Sequence, residues 1–274
     1  MAFIIYHTRA KVRTLARELN VTSHFPNQQR TFRRGTRMSV VVNWGCRGVV
    51  IPENVWPASD EAPRILNATV APAISKVLTF DRLRAAGLPM PRIALAADEI
   101  SDGGPFYMRG KYLGRKDGLT GGAGITIYEK GQMPAAGTIH DFFSQVVSKA
   151  HEVRIHVGDG NILCEQFKLF PAGSGTGILI RNHTRGAFFS GAALHTRIDQ
   201  ATADRGREIA IKAIAAVGLD FGAVDMALTK RGEWVIFEVN TAPGLTQRVI
   251  HDERAMPCTY DAYKAYFETF IRRI

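Results

Sequence analysis

Cysteine is scarce in this chain, and the three residues present do not cluster. Cys46, Cys164 and Cys258 lie far apart with no CxxC pair, which excludes a disulfide framework and a cysteine-based zinc site. No apolar run reaches the roughly 18 residues that a membrane-spanning helix needs. The opening MAFIIYHTRAKVR has an apolar stretch too short for a secretory signal and no small-residue cleavage site, so a cytoplasmic protein is expected. Internal repeats and low-complexity tracts are missing too. No GxxxxGK[ST] occurs and no GxGxxG follows a strand, which excludes a P-loop NTPase and a dinucleotide-binding βαβ unit. HEVRIH, residues 151–156, spaces its histidines by five rather than four. On a strand that spacing points them to opposite faces, which rules out a metalloprotease-type zinc pair.

What is present is ordinary in amount and unusual in charge. The 274 residues are 46% hydrophobic and 22% charged, as expected for a globular chain of one to three domains. The net charge of +10 suits acidic partners such as nucleotides, polyanions or carboxylate-rich substrates. RTFRRGTR, residues 30–37, is the densest basic run. It reads as a solvated loop or as a contact for nucleic acid or an acidic substrate. Phe32 is its one aromatic residue, so no interleaved stacking platform supports a nucleic-acid module.

Periodicity predicts a mixed α/β chain. FIIY (3–6) and SVVVNWG (39–45) read as buried strands flanking a helix over 10–19, a small α/β lobe. A connector over 52–72 leads to a helix from Ala73 to Ala86, with Pro72 in its first turn and Gly87 past its end. Strands are expected at 92–96, 106–110 and 124–129, with a glycine-rich segment between the last two. Residues 151–169 form a predicted hairpin turning on Asp159-Gly160. A helix over 204–217 precedes strands at 221–228 and 233–240. A last helix from near Thr259 buries Tyr263, Phe267, Phe270 and Ile274. Cys164, on a strand, reads as a small buried apolar group.

WVIFEVNTAPGLT, residues 234–246, puts a carboxylate and an amide at the end of a strand built for burial. Glu238 and Asn240 share a face by their spacing. A hairpin centred between Arg231 and Gly232 sets Asp225 directly opposite Glu238. Two carboxylates that close repel unless one is protonated or a cation lies between them. With oxygen donors only, Mg²⁺ or Mn²⁺ is favoured over zinc. A one-residue slip in register would move Asp225 to the other face. Phosphate belongs beside such a metal, and RGKYLGRKDGLTGGAGI (109–125) supplies Arg109, Lys111, Arg115 and Lys116 ahead of Gly118, Gly121, Gly122 and Gly124. Glycines let backbone N–H groups wrap an anion while the basic residues supply charge. The segment reads as a phosphate-covering flap or an ordinary loop.

FGAVDMALTKRGEWVIFEVNTAPGLT (221–246) resembles the C-terminal signature of the ATP-grasp superfamily. It is closest to its ribosomal-protein glutamate ligase and D-alanine–D-alanine ligase branches. SKVLTFDRLRAAGLPMP (75–91) resembles that family's helix whose lysine, here Lys76, contacts ATP phosphates. FYMRGK (106–111) resembles the strand bearing a second cation, Arg109 or Lys111, although the usual Lys-Pro reads Arg-Gly-Lys. FFSQVVSKAHEVRIHV (142–157) resembles the adenine hinge, Gln145 to Val147, followed by a ribose-binding acid, Glu152. Lys168, and Arg181 with Asn182, match polar positions near the phosphates and acceptor.

The resemblance spans about residues 65–250 and implies an α+β fold in which two subdomains clamp ATP. The expected units are a short N-terminal lobe (1–62), an N-terminal subdomain with the flap (63–147) and a C-terminal subdomain with the metal site (148–274). It also implies Asp225, Glu238 and Asn240 as magnesium ligands, Arg154 or Arg181 as transition-state cation, and the Pro243-Gly244 bend holding an acyl oxygen. The implied activity joins a carboxylate to an amine through an acylphosphate, with an amino acid, peptide or protein tail as acceptor. A small-molecule kinase of the same fold and a non-catalytic nucleotide- or polyanion-binding protein are the alternatives.

Overall fold

The computed structural model describes residues 2–7, 10–24, 38–47, 64–101, 110–119, 124–135, 137–170, 187–245 and 259–272. The basic run at 30–37, most of the strand expected at 106–110, and Ile274 lie outside these residues.

The N-terminal part alternates as expected: β1 (Ala2–His7), α1 (Ala10–Glu18), a short unforeseen β2 (Thr22–His24), β3 (Met38–Trp44) and β4 (Arg64–Leu66). They form a parallel sheet in the order β2-β1-β3-β4. The single helix expected over 73–86 is divided into α2 (Ala71–Ile74) and α3 (Lys76–Ala85). Ser75 breaks it in an extended conformation and then caps α3, its side chain accepting the Leu78 N–H. A capping serine there stabilises a new helix start more than it supports a continuing one. Gly87 ends α3 at φ 66°, as the sequence predicts.

Next come β5 (Ile93–Ala94), β6 (Tyr112–Arg115), β7 (Ile125–Tyr128) and β8 (Phe142–Gln145), an antiparallel sheet ordered β5-β8-β6-β7. Strand β6 falls within the segment that glycine content marks as loop. Its Gly114 is a packing glycine, since a Cβ there would stand 2.5 Å from the His140 ring.

The largest sheet is antiparallel, ordered β11-β10-β9-β12-β13. Its strands are β9 (Lys149–Gly158), β10 (Asn161–Leu169), β11 (Phe188–Gly191), β12 (Phe221–Thr229) and β13 (Trp234–Asn240), with α4 (Gln200–Ala216) between β11 and β12. Asp159 and Gly160 both take positive φ, the signature of the predicted β9–β10 turn. Alternation divides this sheet into two unlike faces. Val153, Ile155, Val224, Met226, Leu228 and Ile236 bury against Ala203, Ala210 and Ala213 of α4. Buried Glu165 also lies on this side, where its carboxylate pairs with Arg207 of α4 at 2.6 Å and accepts the Leu194 N–H. The opposite face is polar and carries the candidate site.

The last helix, α5 (Thr259–Ile271), joins a second core with the N-terminal sheet. There Trp44 meets the rings of Phe221, Tyr263 and Phe267 at centroid distances of 5.4, 4.8 and 5.9 Å. Asn67 spans the same junction, accepting the N–H groups of Asp220 and Phe221 and donating to the Phe221 carbonyl.

One glycine sets how closely the N-terminal lobe approaches β13. Gly45 follows β3 at φ 73°, and a Cβ on it would lie 2.5 Å from the Ala242 Cβ. Gly45→Ala combines an unfavourable left-handed backbone with this clash, so a loss of about 1–3 kcal/mol is expected in urea unfolding.

Candidate active site

The β12–β13 hairpin places the acidic cluster by two compensating irregularities. Its loop holds three residues, since the Thr229 N–H reaches the Glu233 carbonyl at 2.8 Å. Pairing near the turn is therefore centred on Arg231: Leu228 faces Trp234 and Met226 faces Ile236. The register then slips between Met226 and Asp225, leaving Phe237 unopposed and Asp225 opposite Glu238. Sequence analysis reached the right pair with a turn half a residue off and no bulge; the bulge absorbs the difference.

Across the polar face, Glu238, Asp225, Arg154 and Gln166 occupy one cross-strand row on β13, β12, β9 and β10. Arg154 grips Asp225 with both ends of its guanidinium, Nε to Oδ1 at 2.5 Å and Nη2 to Oδ2 at 2.7 Å. Burial alone would raise the Asp225 pKa, but Arg154 outweighs it by charge and hydrogen bonding, so the carboxyl stays below its usual range. Burial likewise works against the Arg154 charge, and Asp225 reverses it, raising the guanidinium pKa. Asn240 lies opposite Ala223, with its Nδ2 3.4 Å from Asp225 Oδ2. Glu238, whose side chain is 30% exposed, receives Lys76 Nζ at 3.4 Å.

The remaining predicted residues are more widely spread. Glu152, one row along from Asp225, is held by the ammonium groups of Lys149 and Lys168, and Phe189 stacks near both Arg154 and Lys168. Gln145 ends β8 and Val147 lies in the link from β8 to β9. The Gln145 N–H donates to the Arg92 carbonyl and the Val146 N–H to the Lys111 carbonyl, both at 3.0 Å. This link borders a cavity of about 540 Å³ that also touches the β12–β13 turn. Gly244 lies just beyond β13, its carbonyl accepting the Thr259 hydroxyl at 3.3 Å. Arg109, Gly121, Gly122, Arg181 and Asn182 lie outside the described residues. Lys111 is not drawn to the acidic row: its Nζ pairs with Glu129 at 2.7 Å on the exposed rim.

Three groups in the site had no individual signal in the sequence. Arg115 is largely desolvated, which lowers its pKa, while Glu238 and Asp117 attract its charge. Asp117 binds the start of α3. Arg47, from the N-terminal lobe, brings Nη2 within 3.9 Å of where a Gly118 Cβ would stand. Arg115 and Gly118 were visible only as members of a basic, glycine-rich segment.

The donor set suits a hard cation. Among the described residues no three His, Cys, Asp or Glu side chains cluster as a metal site, so two carboxylates and one amide are the set available. Each carboxylate oxygen has two lone pairs, so Asp225 can accept from Arg154 and still offer an oxygen. Few protein ligands with room for water match magnesium better than calcium or zinc.

Residues 189–256 match the family described as the D-ala D-ala ligase C-terminus. Solved structures extend the likeness to nearly the whole chain. The ATP-grasp ligase PsnB complexed with minimal precursor superposes at a TM-score of 0.67, with 15% identity over 98% of this chain and 99% of that one. The chain has the ATP-grasp fold. PsnB has also been solved with precursor, Mg and ADP. The D-alanine–D-alanine ligase from Bacillus anthracis, complexed with ATP, superposes at 0.62 with 14% identity over 99% and 95% of the two chains. The macrocyclase MdnC from Microcystis aeruginosa, bound to its precursor peptide MdnA, reaches 0.56 with 12% identity over 97% and 99%. No curated protein matches in sequence. Among the described residues, no helix is long and apolar enough to cross a membrane.

In the adjacent row of the same face, opposite Ala223, His156 is buried between the Tyr263 hydroxyl at 3.2 Å and Gln166 Oε1 at 3.0 Å. Burial, reinforced by nearby Arg154, lowers its pKa to about 3. Below the unfolded value near 6.5 the unfolded chain takes up a proton that the folded chain refuses, so stability falls as pH falls from about 6.5 towards 3. His156 should account for about 2 kcal/mol of the loss between pH 7 and pH 5. Urea unfolding across that range, with a shallower slope in His156→Gln, checks this. Arg154→Ala leaves Asp225 buried without its counter-charge and should cost about 3–5 kcal/mol, read in the same assay at pH 7.

Proposed function

We propose that this chain is an ATP- and magnesium-dependent carbon–nitrogen ligase that joins a carboxylate to an amine through an acylphosphate. The observation that carries the reading is the acidic row itself. Asp225 and Glu238 are paired across two strands, with Asn240 beside them and the Lys76 ammonium facing Glu238. A fold has no need of two adjacent carboxylates with converging cations, whereas a triphosphate with its metal needs both signs of charge at once.

Asp225, Glu238 and Asn240 would hold the magnesium, which when bound supplies charge neutralisation on the transferring phosphoryl group. Lys76, at the start of α3, would bind the phosphates. The choice between Arg109 and Lys111 turns towards Arg109, because Lys111 is engaged with Glu129. Gly121 and Gly122 in the flap would offer backbone N–H groups. Gln145 to Val147 would meet the adenine edge, Glu152 the ribose hydroxyls, and Lys168 with Asn182 the phosphates or acceptor. An oxygen of the substrate carboxylate attacks the γ-phosphorus as its bond to the ADP oxygen breaks. The amine nitrogen then attacks the acyl carbon, the C–O bond to phosphate breaks, and the nitrogen gives up a proton. Arg154 or Arg181 would steady the charge that develops, and the backbone at Gly244 would hold the acyl oxygen. Residues 63–147 and 148–274 would clamp the nucleotide, with 1–62 facing the substrate. Likeness to ligases solved with precursor peptides favours an amino acid or peptide as substrate.

Magnesium-dependent ADP release, measured against panels of amino acids, peptides and polyamines with products weighed by mass spectrometry, tests the reading. Asp225→Asn and Glu238→Gln should each lower turnover by about a hundredfold or more. A parent chain that binds no ATP would overturn it.

A further inference from the structure

Asp117 follows β6, yet three bonds tie it to other parts of the chain. Its Oδ1 accepts the backbone N–H of Lys76 at 2.6 Å, and its Oδ2 accepts the Ser75 hydroxyl at 2.6 Å. Its own N–H donates to Asp141 Oδ2 at 2.6 Å. A residue 41 positions away in sequence therefore completes the cap of α3, where a carboxylate is favoured by the unpaired N–H groups and the helix dipole. Burial would raise the Asp117 pKa; Ser75 and the backbone N–H groups of Lys76, Gly118 and Val77 more than offset it, so the group stays ionised well into acid.

Lys76 is the first residue of α3 and is only 6% exposed. Its ammonium reaches the Leu119 carbonyl at 2.9 Å as well as Glu238. The segment 117–119 thus holds Lys76 twice, by its backbone N–H and by its side chain. A lysine stem has four rotatable bonds and gives up much freedom when held in one place, so a fixed root and a fixed tip both matter.

We propose that Asp117 is a positioning residue that sets the Lys76 ammonium towards the nucleotide phosphates by anchoring the helix start from the opposing sheet. The inference rests on the functional reading above and adds to it the residue through which Lys76 acts.

Titration with MgADP and with the non-hydrolysable analogue MgAMPPNP, followed by calorimetry, tests it in four variants. Asp117→Asn should weaken MgAMPPNP binding by about tenfold. Asp199→Asn removes the comparable cap of α4, where Asp199 accepts the Thr202 N–H at 2.9 Å away from the cleft, and should leave binding unchanged at a similar melting temperature. Lys76→Met should weaken binding by itself, and adding Asp117→Asn to it should produce little further loss. That non-additivity is what positioning through Lys76 demands and what a general loss of stability would not produce. Normal binding by Asp117→Asn, an equal loss in Asp199→Asn, or full additivity with Lys76→Met each overturns the inference while the ligase reading stands. A parent that binds neither nucleotide overturns both.

Discussion

The two-pronged contact between Arg154 and Asp225 is the interaction on which the polar face depends. Asp225 is on β12 with Glu238 directly opposite on one side, and Arg154 is on β9 directly opposite on the other. Without the guanidinium, the two carboxylates would be balanced only by the charges of Lys76, Arg115 and Lys168, none of which grips Asp225 directly. Such an arrangement is resolved by protonation or by distortion of the strands. With it, Asp225 remains ionised and fixed in direction. The contact also keeps β9, β12 and β13 in register, since a shift of one residue would bury charge against α4.

The other face of the same strands explains why this charge can be tolerated. Val153, Ile155, Val224 and Met226 alternate with the site residues and are fully or nearly fully buried against α4. Apolar burial on that side anchors the backbone from which the polar row projects. The second core performs the same service at the far end of the sheet. Trp44, Phe221, Tyr263 and Phe267 pack the N-terminal sheet and α5 together, while Gly45 lets the β3 loop reach the residues just past Asn240. The N-terminal lobe is therefore in contact with the end of the acidic strand.

Much of the fold was legible because it is written in local pattern. Helices α1, α4 and α5 follow their apolar spacing, and the β9–β10 turn follows from Asp159-Gly160. The division of α2 from α3 was missed because Ser75 is an ordinary helix residue by propensity and becomes a breaker only as a cap. Strand β6 was missed because Gly114 reads as flexibility, when its role is to admit the His140 ring.

The site divides along the same line. Residues close in sequence, Glu238 with Asn240, declare a shared face by spacing alone, and the hairpin brings in Asp225. The partners of those groups come from far along the chain: Arg154 for Asp225, Lys76 for Glu238, Asp117 for Lys76. No local signal marks them, because a lone arginine, lysine or aspartate has the same pattern on a solvated surface as in a cleft. Strand periodicity and turn chemistry act over a few residues and are set by covalent geometry, so the sequence alone determined the acidic pair. Which cation balances each acid depends on how separate strands and helices pack, and that was decided by burial across the whole fold.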